Sequence, residues 1–135
     1  MTLEASVDAL TTLAGTLDGL RRMYDDPPSS ISEFPCGMAY IESGEYIAGP
    51  SAHGNHNLVL VIYESNTVTQ QAIDRAKRWP DLVRTLLTAN LTLSGTASHV
   101  GNRERLFSYR AGPMPYNDIL HYGVRFLIPV KVNYT

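Results

Sequence analysis

Cysteine is almost missing from this sequence, because Cys36 is the only one. A single cysteine excludes an internal disulfide and any zinc site built from several thiolates. Long apolar runs are missing too, and none approaches the ~18 residues of a membrane-spanning helix. The first residues carry Glu4 and Asp8 without a basic stretch, unlike a secretory signal peptide. These absences predict a reduced, soluble protein, either cytosolic or bound to a larger particle, that does not act at a membrane.

The sequence also lacks an excess of positive charge. It has 11 Lys and Arg against 13 Asp and Glu, a formal net charge of −2. General nucleic-acid binders are usually basic, so duplex binding is disfavoured as the main activity. The 135 residues, of which 44% are hydrophobic, suffice for one domain with its own core. We therefore predict a single domain spanning residues 1–135.

Catalytic and metal-binding signatures are missing as well. The sequence has no G-x-S-x-G, P-loop, G-x-G-x-x-G or H-E-x-x-H motif. His53 and His56 form an H-G-N-H pair, but without a cysteine or carboxylate cluster this is a weak zinc signal. The adjacent carboxylates Asp25 and Asp26 have no third ligand nearby in sequence. We therefore predict no enzymatic activity, no metal and no cofactor.

Hydrophobic alternation predicts the strands. Residues 120–132 alternate for over ten residues with an apolar side chain at every even position, which is typical of a long strand with one buried face. Within it, Pro129 indicates a bulge or a stretch at a sheet edge. Residues 58–63, LVLVIY, predict a central strand covered on both faces. A further strand is predicted at residues 36–42.

Two helices are predicted from apolar residues at spacings of three and four. The first covers residues 2–23, with Thr2 as its N-cap. The second covers residues 68–89 and contains Trp79, which we assign to the core. Pro80 predicts either a kink or two short helices, the second opened by the proline.

The remaining segments predict connections and a strand pair. Residues 43–57 are rich in Gly, Ser and Asn and predict a long mobile loop. Residues 96–101 and 105–110 predict two strands joined as a hairpin at residues 101–104. Residues 111–115 predict the end of the second strand. The whole order predicts an α+β fold: a mostly antiparallel β-sheet with two α-helices packed on one face.

A basic and aromatic stretch lies on the predicted hairpin. Arg103, Arg105 and Arg110 lie there with Phe107 and Tyr109. Such a composition can form a platform for single-stranded nucleic acid. The acidic net charge favours instead a solvated strand face or a protein–protein interface, where arginine and aromatic residues are enriched.

Four stretches of the chain carry a resemblance to a known family. They are residues 20–24 with the following Pro-Pro and Phe34–Pro35, LVLVIY with the helix ending in Leu86–Leu87, the turn at residues 90–95, and the last strand from Tyr122 to Val132. The order of these parts resembles the tail terminator, or tail completion, proteins of long-tailed bacteriophages and phage-like particles. Nearly the whole chain takes part in the resemblance. Ser94 stands where this family more typically has glycine.

The resemblance implies a structural virion protein of the tail and neck, assembled in the cytoplasm of the bacterial host. Its copies would form a ring, usually a hexamer, that caps the tail tube, stops its elongation and docks the head-tail connector or stopper protein. DNA would pass through without sequence-specific binding. By analogy, tube or neighbour contacts fall on residues 44–57 and on the turn near 101–105. The interface candidates are His53, His56, Arg103, Glu104, Arg105 and Arg110.

Two alternatives stay open from the sequence. One is another phage neck or head-to-tail joining protein, since small α+β folds recur among these. The other is a small-ligand-binding or enzymatic α+β domain that uses His53 and His56.

Overall fold

Three helices and six strands lie within residues 2–134, the part of the chain that the computed structural model describes. The helices are α1 (Leu3–Ala14), α2 (Gln70–Ala76) and α3 (Trp79–Ala89). The strands are β1 (Arg22–Tyr24), β2 (Cys36–Ile47), β3 (His53–Ser65), β4 (His99–Val100), β5 (Ser108–Tyr116) and β6 (Ile119–Asn133).

All six strands belong to one mixed sheet. The order is β1, β2, β3, β6, and both β4 and β5 pair with the far side of β6. Only the short β1–β2 pair is parallel, and every other pair is antiparallel. The predicted α+β fold with a mostly antiparallel sheet is therefore confirmed.

The central strand β3 separates two apolar layers. Leu58, Leu60 and Ile62 face the helices, whereas Val59 and Val61 face the opposite side, and all are buried. The prediction that LVLVIY is covered on both faces is confirmed. The even positions of β6 continue the helix-side layer, and the apolar faces of the helices close it, through Leu10, Ala14, Ala72, Ala76, Trp79, Val83 and Leu87.

The first helix is shorter than predicted. Thr2 does cap it, accepting a hydrogen bond from the Ala5 amide at 3.1 Å. The helix ends at Ala14, however, and the predicted extension to residue 23 is wrong. Two glycines, Gly15 and Gly19, weaken helical continuation, and Gly19 has φ 87°. Residues 22–24 instead pair with the start of β2.

The second predicted helix is two helices. α2 ends at Ala76, and Pro80 lies in the first turn of α3, so the prediction of two short helices is confirmed. Trp79 is fully buried. Its indole N–H donates to the buried carboxylate of Glu64 at 2.6 Å, and Arg75 Nε donates to the same carboxylate at 3.0 Å. Glu64 thus joins α2 and α3 to the end of β3.

The loop predicted at residues 43–57 is wrong. β2 continues to Ile47 and β3 begins at His53, so only residues 48–52 connect them. Gly44 lies opposite His56 in this register, and the His56 ring packs over the backbone of Gly44 and Gly54. The two glycines therefore leave space for the His56 ring within paired strands, and they do not indicate a mobile loop.

The hairpin predicted at residues 96–110 is also wrong. β4 and β5 both pair with β6, and β5 runs through Pro113 and Pro115, which are exposed. An edge strand tolerates proline because the missing N–H can face solvent. The hairpin that forms is β5–β6, and its two-residue turn has φ 46° at Asn117 and 66° at Asp118, as in a type I′ turn.

Pro129 lies where β6 has a gap between its two outer partners. β5 pairs up to Leu127, and β4 pairs from Val130 onwards. The Pro129 carbonyl accepts from the Gly101 amide at 2.6 Å. The nitrogen of a strand residue points to the same side as its carbonyl, so the missing N–H falls in this gap rather than in the β3–β6 ladder.

Candidate docking cleft at the open end of the sheet

The face of the sheet opposite the helices has a closed end, which the chain itself covers. Residues 25–35 lie over it, and the hydroxyl of Tyr116 donates to the Pro28 carbonyl. The side-chain amide of Asn117 donates to the Ser29 carbonyl and fixes the β5–β6 turn to the same loop. Beneath them lies the second apolar cluster, which includes Tyr24, Cys36, Met38, Val59, Val61 and Tyr63.

His121 is buried inside this closed end. Its ring lies 5.5 Å from the rings of Phe34 and Tyr63 and 6.4 Å from that of Tyr116. Neither ring nitrogen has a hydrogen-bond partner among the described residues. Burial lowers the pKa of His121, and the nearby Ser65 backbone raises it only in part, without reaching hydrogen-bond geometry. The side chain therefore favours the neutral form.

Cys36 lies in the same apolar cluster and is not an activated nucleophile. Burial, and secondarily the nearby charge of Glu33, raises the pKa of the thiol to about 12. The thiolate is the reactive form of cysteine, and it is strongly disfavoured here.

The opposite end of the same face is open and forms a cleft of about 490 Å³. We call it the polar cleft. Inside it, the Asn57 side-chain amide donates to Ser43 Oγ at 3.0 Å, and Glu45 and Lys131 supply one charge of each sign. It is lined by Ser43, Gly44, Glu45, Asn55, His56, Asn57, Gly101, Asn102, Pro129, Val130 and Lys131.

His56 supports the cleft from beneath rather than presenting its ring to solvent. It is 3% exposed and shares the helix side of β3 with Leu58. Its Nε2 lies 3.1 Å from the hydroxyl of Tyr134, and the Tyr46 ring meets it edge-on at 5.1 Å. Burial lowers the pKa of His56. The packed ring holds β3, the strand that carries Asn55 and Asn57, against β2.

His53 does not join His56. The two residues are three apart on one strand, so their side chains lie on opposite faces. His53 is half-buried, and its Nδ1 lies 2.8 Å from the Ser51 carbonyl oxygen. Within residues 2–134, no group of three His, Cys, Asp or Glu residues could hold a metal ion.

The remaining interface candidates lie on the side of β6 that faces away from β3, in the connection between β4 and β5 and on β5 itself. Asn102 Oδ1 accepts from the amides of Glu104 and Arg105, both at 2.9 Å, which fixes the turn beside the polar cleft. Arg103, Glu104 and Arg105 are all exposed there. Arg110 lies farther along β5, opposite Arg125, and does not line the cleft.

Sequence reasoning missed Asn55, Asn57 and Lys131 as cleft residues. The signal was present, because Asn55 and Asn57 alternate with His56 and Leu58 in the period of a strand. The density of glycine and asparagine in residues 43–57 predicted a loop and concealed that alternation.

No protein-family model and no curated protein sequence matches this chain. Among residues 2–134, no helix has the length and apolar character needed to cross a membrane.

Proposed function

We propose that this chain is a structural assembly protein of the tail-terminator kind. Its copies form a ring of six subunits, by analogy with the family that the sequence resembles, and this ring caps a phage-type tail tube. The ring stops elongation of the tube and provides the docking surface for the head-tail connector. The chain acts in the virion neck and catalyses no reaction.

The observation that carries the proposal is the polar cleft. The resemblance implied contacts on two separate segments, residues 44–57 and the turn near 101–105. In the folded chain, both segments line one cleft, with Asn55 and Asn57 on one side and Asn102 on the other. A single continuous surface suits the docking of one partner.

The chemistry of the cleft supports a protein partner. Asparagine side chains both donate and accept hydrogen bonds, so they can meet the backbone and polar side chains of a neighbour. The cleft is built on paired strands rather than on a mobile loop, which lowers the entropy lost on docking. We propose that this end of the sheet meets the tube protein.

The test is a tube polymerisation assay with the tube protein of the same particle, read as tube length by electron microscopy. The wild-type chain should halt elongation. The double variant N55A/N57A should fail to halt it at the same concentration. N66A is the matched control, because Asn66 is exposed in the turn after β3, outside the cleft.

Each alternative has its own outcome. Tubes that keep growing with saturating wild-type protein contradict the proposal. Binding to the connector without binding to the tube favours a head-to-tail joining protein instead. Equal termination by N55A/N57A and wild type contradicts the role of the cleft alone.

A further inference from the structure

The sheet has an open edge along β2. β1 pairs only with Cys36–Met38, and beyond Met38 no strand within residues 2–134 pairs with β2 on that side. Tyr40 and Ile41 lie along this edge and are 43% and 48% exposed. Unpaired strand edges with apolar side chains are sites where another chain can dock.

A groove of about 750 Å³ runs beside this edge, and we call it the edge groove. α1 forms one wall with Leu3 and Val7, and the strand edge contributes Tyr40 and Ile41. The full lining is Leu3, Glu4, Val7, Asp8, Tyr24, Asp25, Pro27, Met38, Ala39, Tyr40, Ile41, Tyr63 and Tyr116.

The charges of the edge groove have one sign. Glu4, Asp8 and Asp25 line it, whereas no lysine or arginine does. All three carboxylates are exposed, and none forms an ion pair with another described residue. The groove therefore suits an apolar occupant that carries positive charge.

Such an occupant is present on the opposite edge of the same sheet. Residues 103–110, which we call the basic segment, carry Arg103, Arg105 and Arg110, with Tyr109 57% exposed. Arg103 and Arg110 form no ion pair within the described chain. β3 and β6 separate the two edges, so the groove and the segment of one copy lie on different sides of the sheet.

We propose that the edge groove binds the basic segment of a second copy of this chain. Tyr109 enters the apolar groove, and the arginines meet its acidic side chains. Tyrosine and arginine are the residue types that most often dominate interface energies. This contact joins two different surfaces, and such a heterologous contact generates a ring when its rotation closes. The inference rests on the proposed function and assigns its subunit interface.

Like charges disfavour symmetric pairing of one β2 edge with another. That arrangement would set Glu4, Asp8 and Glu45 near the same residues of the partner, and like charges in contact weaken association. The outer edge of β5 cannot pair along its full length either, because Pro113 and Pro115 lack an N–H.

The test uses two charge-reversed chains: a groove variant, E4K/D8K, and a segment variant, R105E/R110E. Each should raise the dissociation constant of self-association by roughly 100-fold. An equimolar mixture should reassemble, because each contact is then complementary again. Native mass spectrometry measures the assemblies, alone and with tube protein. The matched control is K77E/R84E, which reverses two exposed charges on or beside the helices.

The outcomes separate this inference from the proposed function. Unchanged assembly of either variant, or no reassembly of the mixture, overturns the inference while the wild-type ring stands. Wild-type chains that stay monomeric in both conditions contradict both. Wild-type rings that form but never halt tube growth contradict the proposed function alone. Circular dichroism and unfolding midpoints equal to wild type establish that each variant is folded.

Discussion

The two ends of the helix-free face of the sheet differ although the same strands build them. At the closed end, β3 presents Val61 and Tyr63, which residues 25–35 and the β5–β6 hairpin cover. At the open end, β3 presents Asn55 and Asn57, which nothing in residues 2–134 covers completely. The chain completes its own fold at one end and leaves a formed polar surface at the other.

The same difference is found along each single strand. On the same face, β6 runs from buried His121 to exposed Lys131, as β3 runs from Tyr63 to Asn55. An apolar end must be covered to be stable in water, whereas an amide-lined end can stay exposed. We therefore expect substitutions at the closed end to change stability, and substitutions at the open end to change docking of the tube protein.

The largest effect is expected for Y63A at the closed end. Tyr63 is 6% exposed and packs against Tyr116 and His121. Its loss should lower the free energy of unfolding by about 3–5 kcal/mol, the range for buried aromatic residues. N57A at the open end should change the free energy of unfolding by no more than about 1 kcal/mol. Urea unfolding of both variants measures the contrast, and equal losses would contradict it.

The second prediction concerns the packed side of the open end. G44A places a Cβ where the His56 ring lies, so the ring must move. We expect a loss of about 1–3 kcal/mol, the usual cost of overpacking. G49A is the control, because Gly49 has no neighbour within 4 Å, although its φ of 116° adds strain of its own. Adding G44A to H56A should cost much less stability than adding it to wild type, because the ring is then absent. An equal cost in the two backgrounds would contradict this explanation.

The third prediction is a pH dependence from the closed end. The pKa of His121 is lowered by burial, so the unfolded chain binds more protons below its ordinary value of ~6.5. Stability is therefore full above that pH and declines as the pH falls below it. Phe34, Tyr63 and Tyr116 face the ring, and none of them carries a charge at these pH values.

H121F should remove this contribution, because it keeps an aromatic ring without nitrogens that lack partners. Between pH 7.5 and pH 5.5, wild type should lose more stability than H121F, by at most about 1.4 kcal/mol, the limit at which the folded His121 ring binds no proton. Chemical unfolding at the two pH values measures it. His56, whose pKa burial also lowers, stays in both proteins and supplies the common background. Parallel pH profiles for the two proteins would contradict the assignment.

Much of the fold follows from the sequence because hydrophobic periodicity and proline positions determine secondary structure locally. The alternation in β6, the apolar run in β3 and the break before Pro80 each predict their elements. Tertiary pairing decided the remainder. β1 exists because β2 offers it an edge, and β4 and β5 pair with β6 because that strand is long enough for both. No local pattern contains those partners.

The site was predictable only in part. Residues 44–57 and 101–105 were singled out, and both contribute to the polar cleft. Which side chains line it, such as Asn57 and Lys131, depends on strand register. No register was assigned to residues 43–57 because they were predicted to form a loop. His56 was expected at a surface and is buried, since its ring fills the space above two glycines. Residue composition therefore identified the segments, whereas strand pairing was needed to identify which face of the sheet forms the cleft.

The smallest effect is expected at the turn that holds the closed end together. Asp118 has φ 66°, a conformation that costs a non-glycine residue free energy, and type I′ turns favour Asn-Gly. D118G should therefore raise the free energy of unfolding by about 0.5–1 kcal/mol. D118A, which lacks both the freedom of glycine and the local hydrogen bonding of aspartate, should lower it. If the two variants change stability with the same sign, side-chain contacts rather than backbone conformation determine stability at this turn. The backbone of the turn would then not be the feature that holds Asn117 against the loop over the closed end.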